Sequence, residues 1–313
     1  MIALILWAFL LLPVSGLDFL KAYDRRDIPT GFLYSRGWHD DAVRWAEIFL
    51  PKALSRIEAR LGRQLEGRFK TILVGDFAEF DRVYQQITGR RTAPDRYTQG
   101  VAFPSLRLIV VRGDLVRGPT FEDPAAVTLT HEVAHIVLHR FPDTKIPRWL
   151  DEGMAVWVSG GRLTPRDEAY LSLLARTSSL YRFETLETEF PPGHLPTTTA
   201  YKQSYLMIRF LQSVYGEQAP IELLDLLESG ETTGHALEAI TSLSLEQLEE
   251  DFFRWTRARR SFLESLVLVV NLWTVVALLA LVAIARYLLK RRRLLRKLEE
   301  EEGPALPASP PAA

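Results

Sequence analysis

The sequence predicts an α+β fold, and three observations carry that reading. Strand and helix patterns mix up to residue 111, and every periodic segment after it reads as helix. At the junction stands the run His131-Glu132-Val133-Ala134-His135, an HExxH pattern. The stretch from 17 to 262 is long enough for one large domain or two lobes, ahead of a C-terminal apolar segment.

The elements follow in order. Asp41 to Leu61 has the pattern of an amphipathic helix, Lys70 to Val74 of a strand, and Phe77 to Thr88 of a second helix. Gly100 introduces a strand region in which Leu106 to Val111 is nearly continuous apolar, as in a central buried strand. Asp123-Pro124 reads as an N-cap followed by proline at the first helical position. Ala125 to Arg140 then carries Val127, Leu129, Val133, Ile136 and Val137 at helical spacing, and Pro142 ends the run. Further helices are expected over 165–176, 199–215, 221–227 and 245–257.

On the helix of residues 125–140, His131 and His135 lie about 40° apart around the axis and roughly 6 Å along it, so their rings can converge on one metal ion. Glu132 sits on the flank of that face. A catalytic zinc site needs a third protein ligand and an open position. The extended pattern HExxHxxGxxH does not supply it, because Leu138 stands at the glycine position and Phe141 at the last histidine. His139 lies two turns from His131, a poor reach, and reads as an ordinary helix-end histidine. Glu152 is the better candidate. Ile146 to Ala155 reads as a second helix started by Pro147 and stopped by Gly160-Gly161, and the short link from Phe141 to Ile146 lets it fold back on the first. The other reading of Glu152 is a surface carboxylate favoured at a helix start by the macrodipole.

HEVAH, a spacer, and the glutamate of Trp149-Leu150-Asp151-Glu152-Gly153 together resemble the gluzincin metallopeptidases, the group of thermolysin and aminopeptidase N. The resemblance is strongest to compact bacterial peptidase MA-like domains with a W-L-x-E-G-x-A signature. It implies a thermolysin-like layout, a small sheet lobe and a helical lobe around the metal helix. It also implies one zinc ion on His131, His135 and Glu152, with Glu132 as general base in the hydrolysis of a peptide or protein substrate. The segment from Ala200 to Leu211 resembles the aminopeptidase N helix whose first tyrosine stabilises the oxyanion, which puts that role on Tyr201. A tyrosine packed under the core is the other reading there, and His194 is the rival donor. In similar enzymes a strand just before the active helix pairs with extended substrate, so the region 100–111 reads either as that edge or as a buried centre. The glutamate motif that aminopeptidases use for a free N-terminus is absent, which favours an endopeptidase. Thermolysin has an aspartate four residues after its ligand glutamate; here the position is Val156, and Asp151 is the weak candidate for orienting a histidine. That gap leaves an alternative, a zinc-bearing but non-hydrolytic module that anchors a partner at a membrane.

Composition excludes other classes. The formal net charge is −1, with no basic surplus to suggest nucleic acid. There is no cysteine, hence no disulfide, thiol nucleophile or thiolate metal site. No Gly-rich phosphate loop or G-x-S-x-G elbow occurs. Residues 1–16 read as a signal peptide and 17–262 as the catalytic domain. Residues 263–289 hold a transmembrane helix whose apolar core, Leu266 to Ala285, has only Asn271 and Thr274 as polar members, and 290–313 read as a basic, then acidic, disordered tail. The tail side carries Arg286, Lys290, Arg291, Arg292, Arg293, Arg296 and Lys297, against Arg254, Arg257, Arg259 and Arg260 on the other flank. That bias predicts a cytoplasmic C-terminus and an extracytoplasmic catalytic domain. An uncleaved N-terminal anchor, suggested by Lys21, Arg25 and Arg26, would place the domain in the cytosol instead.

Overall fold

The computed structural model describes residues 17–37, 40–89, 98–116, 124–141, 143–269 and 272–301. A five-stranded sheet forms the N-terminal part, in the order β1 (Asp24–Ile28), β2 (Gly31–Ser35), β3 (Phe69–Val74), β5 (Leu108–Arg112), β4 (Gly100–Phe103). The β1/β2 and β4/β5 pairs are antiparallel, and β2/β3 and β3/β5 are parallel. Both alternatives for the region 100–111 are thus realised, in different halves. Leu108–Arg112 is an inner strand, and Gly100–Phe103 is the edge, joined to it by a 3-10 turn at Pro104–Leu106.

The apolar run of β5 follows from burial on both faces. Ile109 and Val111 point into the main core, while Leu108 and Val110 point into a second core with Ile72, Val74, Phe80, Val83 and Tyr84. Helix α2 (Phe77–Thr88), capped by the Asp76 side chain, covers that second face. Helices α1 (Asp40–Leu61) and α3 (Pro124–Leu138) cover the other. The expected cap residue Asp123 and the expected terminator Pro142 lie outside the described residues. Helix α3 ends at Leu138, two residues earlier than the periodicity predicts.

The rest is helical, as expected for an α+β chain: α4 (Arg148–Ser159), α5 (Pro165–Arg176), α6 (His194–Tyr215), α7 (Ala219–Glu228), α8 (Thr233–Thr241) and α9 (Leu245–Ala258). Capping boxes at Thr164/Asp167 and Ser244/Gln247 start α5 and α9. Helix α6 begins at His194 rather than Thr199, because Pro196 falls in its first turn, where no amide partner is lost. Helices α4 and α6 pack closely. A β-carbon on Gly153 would stand 2.6 Å from the Ser204 carbonyl oxygen, so only glycine lets the two axes approach this far.

Helix α10 (Phe262–Val269) packs on α5, and α11 runs over Leu272–Glu301; residues 270 and 271, inside the apolar stretch 266–285, lie outside the described residues. Among the described residues no helix is long and apolar enough to cross a membrane. Helix α11 also carries the basic stretch on to Glu301, where the sequence predicts a disordered tail from 290; Leu, Arg, Lys and Glu are all strong helix formers. The predicted signal peptide, residues 1–16, lies outside the described residues.

Candidate metal centre

Three side chains from two helices meet in the interior. His131 and His135 project from α3, and Glu152 projects from the first turns of α4; they are 3 %, 0 % and 0 % exposed. The two Nε2 atoms are 3.0 Å apart, and Glu152 Oε2 lies 3.3 Å from His131 Nε2 and 3.6 Å from His135 Nε2. Two donors on a tetrahedral zinc with bonds of about 2.0–2.1 Å are separated by about 3.3 Å. The three measured separations bracket that value, so the residues fit the ion that their chemistry suggests. Two imidazoles and a carboxylate crowded in a dry interior suit a bound cation. They are the one such group of metal-capable side chains among the described residues.

Partners farther out fix the geometry of two of the three candidate ligands, His135 and Glu152. Asp151 Oδ1 accepts from His135 Nδ1 at 2.9 Å. Accepting there places the imidazole proton on Nδ1 and leaves the Nε2 lone pair facing the metal position. His139 Nε2 lies 3.3 Å from the same Asp151 oxygen, so His139 serves the carboxylate rather than the metal. Asp151 thus fills the orienting position that Val156 leaves vacant in sequence. It precedes Glu152 directly, and one helical turn start delivers one carboxylate to the metal position and the next to a histidine behind it.

Glu152 is held by its second oxygen. Oε1 accepts from the Tyr201 hydroxyl at 3.1 Å and from Arg148 Nη2 at 3.3 Å, which leaves Oε2 turned toward the imidazoles. Tyr201 is 1 % exposed and lies edge-on to Phe190. Arg148 stacks over the same Phe190 ring. The close α4–α6 packing at Gly153 and Ser204 sets this register, three residues from Tyr201 on one helix and one from Glu152 on the other. His194 stands exposed at the first position of α6, two turns before Tyr201. Sequence reasoning missed Arg148; its only signal was a cation four residues before the ligand glutamate.

Glu132 is fully buried beside the ligands. Its surroundings include the start of the edge strand: a β-carbon on Gly100 would stand 3.0 Å from Glu132 Cγ and 3.2 Å from its Oε1. Glycine therefore makes room for the carboxylate, and the glycine-introduced strand and the HExxH glutamate are one spatial unit.

Burial and charge shape the metal-free site. Burial pushes the Glu132 carboxyl up to about 8; His135 opposes this, and Glu152 and Asp151 add to it. Burial works against a charged His135, but Asp151 and then Glu152 outweigh it and hold that imidazole up at about 9. His131 is pushed down, chiefly by burial. Burial would raise Asp151, yet His135 and His139 hold it well below the ordinary carboxylate range. Burial, then the Glu152 charge, push the Tyr201 phenol well up, so it stays a donor. Ionisable groups driven this far from their usual values in a dry pocket mark the cluster as a candidate functional site.

A family model for the peptidase MA superfamily matches residues 80–258, more than half of the 313-residue chain. The matched region takes in most of α2, the edge strand and every helix that builds the candidate metal centre. No curated protein matches the chain.

Proposed function

The chain belongs to the peptidase MA superfamily, and from that premise we propose that it is a zinc-dependent endopeptidase tethered to a membrane. The observation that carries the reading is the triangle of His131, His135 and Glu152 at zinc-compatible spacing, with the buried carboxylate of Glu132 beside it.

Zinc, when bound, supplies Lewis acidity toward the scissile carbonyl and toward water. Glu132 takes a proton from the attacking water and passes it to the leaving amine. His131, His135 and Glu152 hold the metal; Asp151 fixes the His135 tautomer, and Arg148 fixes the orientation of Glu152. Tyr201 is the candidate oxyanion donor. Its hydroxyl rests on Glu152 Oε1 in the free protein, one side chain removed from the reacting centre. β4 ends the sheet among the described residues and lies against Glu132 and α3, and in this reading an extended peptide adds there as a further strand. Strand addition engages the middle of a chain rather than its end, in keeping with endopeptidase cleavage.

The tether is α10 with α11. Helix α11 leaves Leu278, Leu279, Leu281, Val282 and Ile284 more than half exposed, and Arg286 and Lys290 to Arg293 follow them. Apolar side chains left in water and flanked by basic residues suit an anionic lipid surface. The charge bias and the apolar N-terminus favour a catalytic domain on the extracytoplasmic side. Purified protein incubated with unfolded casein is the direct test. Chelator is expected to abolish the release of internal fragments and zinc to restore it; fragments that grow only from a chain terminus would refute the endopeptidase assignment.

A further inference from the structure

Away from the metal centre, α1, the C-terminal end of α4 and the second half of α6 line an open cavity of about 700 Å³. None of the metal-centre side chains lines it. Four arginines do: Arg56 and Arg60 from α1, Arg162 from the α4–α5 link, and Arg209 from α6. Glu217 is the one carboxylate among the lining residues. The wall thus carries three positive charges in excess, in a chain whose formal net charge is −1.

Several arginines elsewhere pair with carboxylates, while others, such as Arg176 and Arg257, are held by carbonyls. Arg63 meets Asp225 and Glu228, Arg182 meets Glu249, and Arg259 and Arg260 share Glu168. In the cavity, Arg60, Arg162 and Arg209 make no ion pair with a carboxylate among the described residues. They are positioned by other means. Arg60 donates to the Trp157 and Val158 carbonyls at 2.9 and 3.3 Å, at the negative end of α4, and lies over the Trp157 ring. Arg209 donates to the Tyr205 hydroxyl at 3.4 Å. Burial lowers the proton affinity of Arg60, and Arg56 and Arg162 lower it further, as expected of guanidinium groups crowded together. Cations are thus brought together from three chain segments, and the planar donor forks of Arg60, Arg162 and Arg209 suit an incoming anion.

We propose that this cavity binds a phosphate-bearing anion, gripped by Arg56, Arg60, Arg162 and Arg209 against the flat wall of Trp157. The shared chemistry is the phosphate group, whether free or on a lipid headgroup. The volume lies within the range of small-molecule sites, about 300–1,000 Å³. The inference goes beyond the proposed hydrolysis, and its test reads binding alone, so the two can fail separately.

The test is calorimetric titration of the full chain in uncharged detergent with two probes, inorganic phosphate and dihexanoyl phosphatidylglycerol. Heat from the first assigns a free anion, and heat from the second alone assigns a lipid headgroup. In either case the Arg162→Glu/Arg209→Glu variant should bind at least tenfold more weakly, with its metal content unchanged. Both side chains are exposed; should the double reversal misfold, Arg162→Gln/Arg209→Gln is expected to weaken binding in the same direction. Failure of both probes to bind the wild type, or equal binding by wild type and a folded variant, overturns the proposal.

Discussion

At the residue scale the metal centre divides into what lies along one helix and what lies between helices. His131, Glu132 and His135 are legible because their relation is set by helical geometry alone. Glu152 is nearly so, since a short link fixes how α4 returns. The donation of Tyr201 to Glu152 is not, because it depends on the distance between helix axes, and that is settled by small residues such as Gly153; Arg148 stands one turn before Glu152 on α4, a spacing the sequence does carry. Asp151→Asn removes the negative charge of the acceptor at His135 Nδ1 and should weaken zinc affinity by about 10–100-fold, read by competition with a chelating dye. Tyr201→Phe should keep zinc and lower kcat by about 10²–10³-fold if the hydroxyl reaches the oxyanion. Loss of zinc in that variant would instead assign the hydroxyl to Glu152 alone.

At the scale of elements, the strongly patterned segments are the legible ones. The inner strand and helices α1, α2, α3 and α5 fall within a few residues of expectation. The β1–β2 hairpin has no such signal. Four of the five residues of Asp24–Ile28 are exposed, so no apolar alternation marks the strand, and its place comes from pairing with β2. Helix α8 is nine residues long and too short to repeat its pattern. The contact between α4 and α6 is the element-level feature on which the site depends. Gly153→Ala pushes a methyl group into the Ser204 carbonyl and should destabilise the domain by about 1–3 kcal/mol in a denaturant titration. Gly100→Ala presses on Glu132 instead, and is expected to lower kcat while leaving metal content and melting temperature close to wild type.

For the whole molecule, the buried titratable groups make stability of the metal-free form depend on pH. Glu132, with its carboxyl raised to about 8, favours the folded state while protonated, and that contribution is lost as pH rises from its ordinary value through 8. His135, raised to about 9, contributes while charged and is lost as pH rises from about 6.5 through 9. Both act in one direction, so the melting temperature of chelator-stripped protein should fall between pH 6.5 and 9. Zinc binding strengthens over the same range as its ligands lose protons, so the loaded protein should fall less or rise. The apolar and basic C-terminal helices add the second whole-molecule feature. A chain ending at residue 261 is expected to leave the membrane fraction on alkaline extraction, whereas the full chain stays.

The central claim is that Glu132 works on water at a metal held by His131, His135 and Glu152. Its most direct test is metal content and casein cleavage measured together for the wild type and Glu132→Gln. One zinc per chain in both proteins, with cleavage in the wild type alone, is the predicted result; cleavage at the wild-type rate by Glu132→Gln would contradict it.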